Sequence, residues 1–171
     1  VGTTANKVKT TAVNHKSIIG FARDEGTVTI NGNVEAKDAK AKTNKWQNIA
    51  GLAVKTKTST KGGTVTINGD VDIHGMAGFA DGTGSKVDLK GTGNKVSTGT
   101  DGALAAKNGG VVNFGGGTIT HKNNGTVAGK NDHESSVPFY ADNNSKINFE
   151  GNGSNPARTT IEMADGVLMS E

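Results

Sequence analysis

Short runs in which apolar and polar residues alternate recur along the whole chain, and no stretch holds the three-and-four apolar spacing of an amphipathic helix for three turns. The clearest run, Thr27-Val28-Thr29-Ile30-Asn31-Gly32, returns letter for letter as Thr64-Val65-Thr66-Ile67-Asn68-Gly69. Diverged copies follow at Lys86-Val87-Asp88-Leu89, Val111-Val112-Asn113-Phe114 and Lys146-Ile147-Asn148-Phe149, and the second apolar residues of these phrases lie 37, 22, 25 and 35 residues apart. Period-two alternation predicts strands whose Val28, Ile30, Val65, Ile67, Val87, Leu89, Val112, Phe114, Ile147 and Phe149 point inward. Thr29, Thr66, Asp88, Asn113 and Asn148 then form one outward ladder.

Each copy carries a second phrase upstream, in which a Gly or Pro precedes an apolar pair: Gly20-Phe21-Ala22, Gly51-Leu52-Ala53, Gly78-Phe79-Ala80, Gly102-Ala103-Leu104 and Pro138-Phe139-Tyr140. A third alternation follows at Val34, Val71 with Ile73, Val96, Ile119 and Ile161. One unit thus holds three short strands, and a unit repeated every 20 to 40 residues is the mark of a solenoid. The expected organisation is a polar segment or partial coil over 1–16, then about five coils over 17–171. Insertions are expected in the turns at about 38–48, 55–63, 121–136 and 151–156, since per-repeat length variation falls in turns.

Composition agrees. Val, Ile, Leu and Phe total only 33 of 171 residues, a level that by itself fits disorder, yet the net charge is just +3 and the apolar residues are patterned. A narrow stacked core needs few apolar residues per strand. The 26 glycines suit tight turns and would each cost roughly 1 kcal/mol inside a helix. The chain has no cysteine, which excludes disulfides, thiolate metal sites and a cysteine nucleophile. Its longest apolar runs, such as Ile18-Ile19-Gly20-Phe21-Ala22, are far too short for a membrane-spanning helix. The start Val1-Gly2-Thr3-Thr4 lacks a signal-peptide layout, and the expectation is a piece of a longer protein whose export signal and anchor lie elsewhere.

The Gly-Phe-Ala and Gly-Leu-Ala phrases followed by Gly-Gly-Thr-Val-Thr-Ile-Asn-Gly, together with Asn108-Gly109-Gly110-Val111-Val112-Asn113-Phe114 and Asn144-Ser145-Lys146-Ile147-Asn148-Phe149, resemble the passenger regions of type V autotransporters. The Lys, Asn and Thr bias is most similar to the very large fusobacterial autotransporter adhesins. The resemblance covers about residues 17 to 168 and implies an all-β, right-handed parallel β-helix, exported to the bacterial cell surface or secreted. It implies attachment to a host or bacterial surface glycan or protein, with further β-helix coils of the parent chain as neighbours. The missing cysteines fit passage through an oxidising periplasm. The motifs report structure, and no residue-level functional motif of the family carries over.

Charge is uneven along the chain. Residues 1–61 hold eleven Lys or Arg against four acids, +7, while residues 62–171 hold eight against twelve, −4. The excess gathers in Lys37, Lys40, Lys42, Lys45, Lys55, Lys57 and Lys61 on two neighbouring insertions, where they can form one patch with Trp46. Clustered ammonium groups attract anionic partners and an exposed indole stacks on sugar rings. The bland reading is solubilising lysines and a Trp46 packed on the next coil. Interleaved aromatics are lacking, so nucleic acid is not an expected partner.

The longest polar excursion begins at His121 and contains Asp132-His133-Glu134, a second expected contact surface; adjacent strand residues alternate sides, which disfavours a chelate there, and no metal or cofactor is expected. Asp70, Asp72 and His74 fall on one outward face, which carries the rival reading of a polysaccharide-degrading β-helix enzyme. Against it, the expected outward neighbours Lys90, Gly115 and Glu150 offer no second acidic cluster. Serine-hydrolase elbows and phosphate loops are absent from the sequence. The chain is therefore expected to be non-catalytic, with a purely structural spacer as the remaining alternative.

Overall fold

A computed structural model describes residues 7–10, 17–37, 48–98, 102–122, 138–150 and 158–164. Among them every regular element is a strand, and every strand pairing is parallel. The strands are β1 (Lys7–Thr10), β2 (Ile18–Arg23), β3 (Thr27–Ile30), β4 (Asn33–Ala36), β5 (Asn48–Val54), β6 (Thr64–Ile67), β7 (Val71–Asp81) and β8 (Lys86–Leu89). They continue as β9 (Asn94–Thr98), β10 (Leu104–Lys107), β11 (Val111–Phe114), β12 (Gly117–Lys122), β13 (Phe139–Ala141), β14 (Lys146–Phe149) and β15 (Thr159–Ala164).

Pairing sorts them into three columns. The central column, β3-β6-β8-β11-β14, is made of the repeated phrases. Its register sets Thr27 against Thr64, Thr64 against Lys86, Lys86 against Val111 and Val111 against Lys146. The upstream column contains β2, β5, residues 75–81 of β7, β10 and β13. The downstream column contains β1, β4, residues 71–74 of β7, β9, β12 and β15. Two strands expected to be separate, around Val71 and around Gly78, are thus one 11-residue strand that passes from the downstream to the upstream column. No turn residues separate them, and alternation continues through Gly75.

One core joins the columns. Val65, Val87, Val112, Ile67, Leu89 and Phe114 from the central strands pack with Val71, Ile73, Val96 and Ile119 downstream and with Ala53, Ala80 and Ala106 upstream. The upstream column contributes small residues because the valines come close. A Cβ on Gly51 would sit 2.8 Å from Val87 Cγ1, and one on Gly78 would sit 3.0 Å from Val112 Cγ1. Each fully buried valine or isoleucine stabilises the stack by roughly 1.5–3 kcal/mol. Phe149 of the last central strand meets Phe114 and Phe139 edge to face, at ring-centre distances of 6.1 and 5.1 Å.

Asparagine side chains hold the corners. Asn94, 1% exposed, donates Nδ2 to the carbonyls of Gly91 (2.6 Å) and Gly116 (2.8 Å) and accepts from the Val71 amide (2.8 Å). Asn48, expected in the 38–48 insertion, instead opens β5 and is buried, bridging the Ser17 amide and the carbonyls of Ala36 and His74. On the outer central face, Asn148 donates to Asn113 (2.8 Å) and Asn113 to Asp88 (2.6 Å), which is the expected ladder. The upstream-to-central turns use the left-handed backbone region at Asp24, Asn108, Asn143 and Asn144, residue types that tolerate it.

Candidate functional site

The outward side chains of the downstream column form a polar surface aligned across neighbouring strands. Strand register sets Glu35 beside Asp72, Asp72 beside Lys95, and Lys95 beside Thr118. A second row sets His74 beside Ser97 and Ser97 beside Thr120. Lys37 pairs with Asp72, and Lys9 with Glu35 at 3.6 Å. Thr120 Oγ1 donates to Glu162 Oε2 at 3.0 Å. These rows border a groove of about 350 Å³ whose floor is the backbone of β7 and β9 at Ile73 and Val96, the side chains of which face the core. The hydrogen bond to Asp72 raises the Lys37 pKa above 10.5; partial desolvation opposes this, and the charges of Asp72 and Glu35 add to it. Both partners are partly exposed, so the pair contributes about 0–1 kcal/mol to stability.

Of the expected basic patch, Lys40, Lys42, Lys45 and Trp46 lie outside the described residues. Lys55, Lys57 and Lys61 share the turn between β5 and β6, which is braced on its neighbours. Thr56 bonds Asp24 Oδ1 through its amide (2.8 Å) and hydroxyl (2.9 Å), and the Gly62 amide bonds the Thr83 carbonyl (3.1 Å). Lys57 and Lys61 are exposed, and Lys55 Nζ donates to the Thr56 carbonyl at 3.3 Å. Lys37 does not join them. It follows β4 and Lys55 follows β5, at opposite ends of a seven-residue strand about 20 Å long.

His121 is not part of a loop. It continues β12, where alternation from Ile119 turns it inward, and it is buried with Nδ1 2.7 Å from Thr98 Oγ1. The 121–136 insertion therefore begins later than expected, and Asp132, His133 and Glu134 lie outside the described residues. The row Asp70, Asp72, His74 is also broken. Asp70 is held in the preceding turn, its Oδ1 accepting from the Gly93 amide (2.9 Å) and its own amide donating to Asn33 Oδ1 (2.9 Å). The register neighbours of Asp72 and His74 are Lys95 and Ser97, not Lys90, Gly115 and Glu150, which follow the central column.

Lys95, Ser97, Thr118 and Thr120 were not among the expected site residues. They flank Val96 and Ile119, the apolar markers of the third alternation, so the signal was present once those strands were aligned with Ile73. No group of three or more His, Cys, Asp or Glu suited to a metal occurs among the described residues. No helix among them is long and apolar enough to cross a membrane. No protein-family profile, curated protein or solved structure matches the chain.

Proposed function

We propose that the chain is a non-catalytic section of a bacterial surface adhesin passenger: a right-handed parallel β-helix of about five coils that presents side-chain surfaces for attachment to cell-surface glycans or proteins. The observation that carries this reading is the parallel register of all three columns among the described residues. Such a stack is stiff along one axis and repeats its outer faces, which suits display over distance. Phe149 and Ile161, on inner-column positions of the last strands, are 47% and 41% exposed, as they would be where further coils of the parent chain stack. The resemblance to autotransporter passengers supports export to the cell surface. Polysaccharide cleavage is the weaker reading because Asp70 is engaged in its turn and Asp72 is paired with Lys37, which leaves no carboxyl pair in the groove.

The test is attachment. Beads coated with the chain, incubated with bacterial and epithelial cells, should bind above albumin-coated beads, and acidic polysaccharides treated with the chain should gain no new reducing ends. Released reducing ends would replace the adhesin by an enzyme, and absence of attachment would leave a spacer.

A further inference from the structure

We infer that the groove on the downstream column binds an acidic sugar unit of a polysaccharide, with the Lys95 ammonium as the anchor for the sugar carboxylate; the inference deepens the attachment reading and rests on it. Size selects the ligand first. About 350 Å³ is at the low end of small-ligand sites, and the groove crosses β7, β9 and β12, about 10 Å at ordinary strand spacing. That matches a disaccharide, whereas a protein partner needs a far larger contact area.

Chemistry narrows it further. The side chains on the rim end in hydroxyls, ammonium groups, an imidazole and a carboxylate, with no Phe, Tyr, Trp or wholly aliphatic side chain among them. Affinity there must come from hydrogen bonds, so the ligand has to be dense in donors and acceptors. Ser97 and Thr118 offer hydroxyls that serve as either partner, and the Asp72 carboxylate only accepts. Sugar hydroxyls complement both. Charge then selects among sugars. Among the residues that line the groove, Lys37 and Lys95 outweigh Asp72 by one positive charge, and the acids at its edges are engaged, Glu35 by Lys9 and Glu162 by the Thr120 hydroxyl; Lys37 is already committed to Asp72. Lys95 stands in register with Asp72 and, among the described residues, forms no ion pair. A carboxylate on the ligand supplies the missing partner, and a charge-assisted bond is the strongest contact this rim can make. A nucleic acid would need a row of stacking surfaces, and the groove offers only the His74 imidazole.

The experiment is an NMR titration of the whole chain with digalacturonate, and with digalactose as the neutral match. The expected result is saturable shifts at Ser97 and Thr118, binding that weakens with added salt, and digalactose weaker by about tenfold, the scale of one charged hydrogen bond. Lys95→Ala and the length-conserving Lys95→Gln should each lose about tenfold in affinity, while Lys61→Ala on the distant basic turn should lose nothing. Melting curves of the variants will confirm that an exposed position leaves the fold intact. Equal binding of both disaccharides, full affinity in either Lys95 variant, loss of affinity in Lys61→Ala, or no saturable shift would each overturn the inference. The coated-bead assay separates the two levels. Attachment that survives Lys95→Ala removes the groove's role and keeps the adhesin; digalacturonate binding without attachment keeps the groove and removes the adhesin.

Discussion

Asn94→Ala should destabilise the stack more than any exposed polar substitution. The carboxamide of Asn94 serves three backbone groups: the Gly91 and Gly116 carbonyls and the Val71 amide. At 1% exposure water cannot replace it without opening the corner. A buried backbone group left unsatisfied costs roughly 1–3 kcal/mol, and the three share one pocket, so the total is about 3–5 kcal/mol. For a chain of this size that lowers the thermal midpoint by about 10 °C, read by far-UV circular dichroism. The near-isosteric Asn94→Asp keeps the acceptor for Val71 but turns a carboxylate oxygen toward two carbonyls. Burial and that repulsion raise the new carboxyl's folded pKa above its unfolded value, so its destabilisation appears as pH rises through the folded pKa and recedes in acid. The control is Asn68→Ala. Asn68 is exposed and makes one side-chain bond, to Asn31 Oδ1 at 2.7 Å, so its loss costs at most about 0.5 kcal/mol. An Asn94→Ala midpoint within about 2 °C of the parent, or no lower than that of Asn68→Ala, would refute the corner argument.

Two further outcomes follow from the packing and the turns. Gly51→Ala places a methyl 2.8 Å from Val87 Cγ1 and should cost about 1–3 kcal/mol in denaturant melts; Val87→Ala in the same chain should recover part of it, and strict additivity of the two would contradict the close approach. The Asp24 carboxyl is held below its ordinary 3.8, chiefly by the Thr56 amide, with the Thr56 hydroxyl and nearby Arg23 and Lys55 adding to the effect against partial desolvation. Its contribution to the 55–63 turn is therefore present above 3.8 and lost as pH falls through the lower folded value. The Thr56 amide resonance should titrate with a midpoint below 3.8, and Asp24→Asn should abolish that titration; a midpoint above 3.8 would contradict the contact.

The central column was legible because its unit is repeated nearly verbatim. Thr27 to Ile30 and Thr64 to Ile67 pair residue for residue, and the diverged copies keep the same inward positions. The upstream phrases were legible for the same reason, with Gly20, Gly51 and Gly78 in register. What escaped were polar residues doing inward work. Asn48 and His121 read as loop because they are polar, yet strand alternation and corner hydrogen bonding bury both. Asp70 illustrates the opposite error: it sits on the same parity as Asp72 and His74, but the strand begins only at Val71, so parity does not govern it. The groove was hidden because its members come from three strands joined by connections of unequal length. No single stretch of sequence shows Asp72, Lys95 and Thr118 as neighbours.

Spin-label distances between Thr27, Lys86 and Lys146 test the one-axis stack most directly. All three are exposed on the central column, and the chain has no native cysteine to interfere with labelling. Thr27 is two register steps from Lys86 and four from Lys146. At ordinary strand spacing, Thr27–Lys86 and Lys86–Lys146 should each measure about 10 Å and Thr27–Lys146 about 19 Å, the short distances adding to the long one. A Thr27–Lys146 distance no longer than the other two would mean that the sheet closes on itself, and the stack would be wrong.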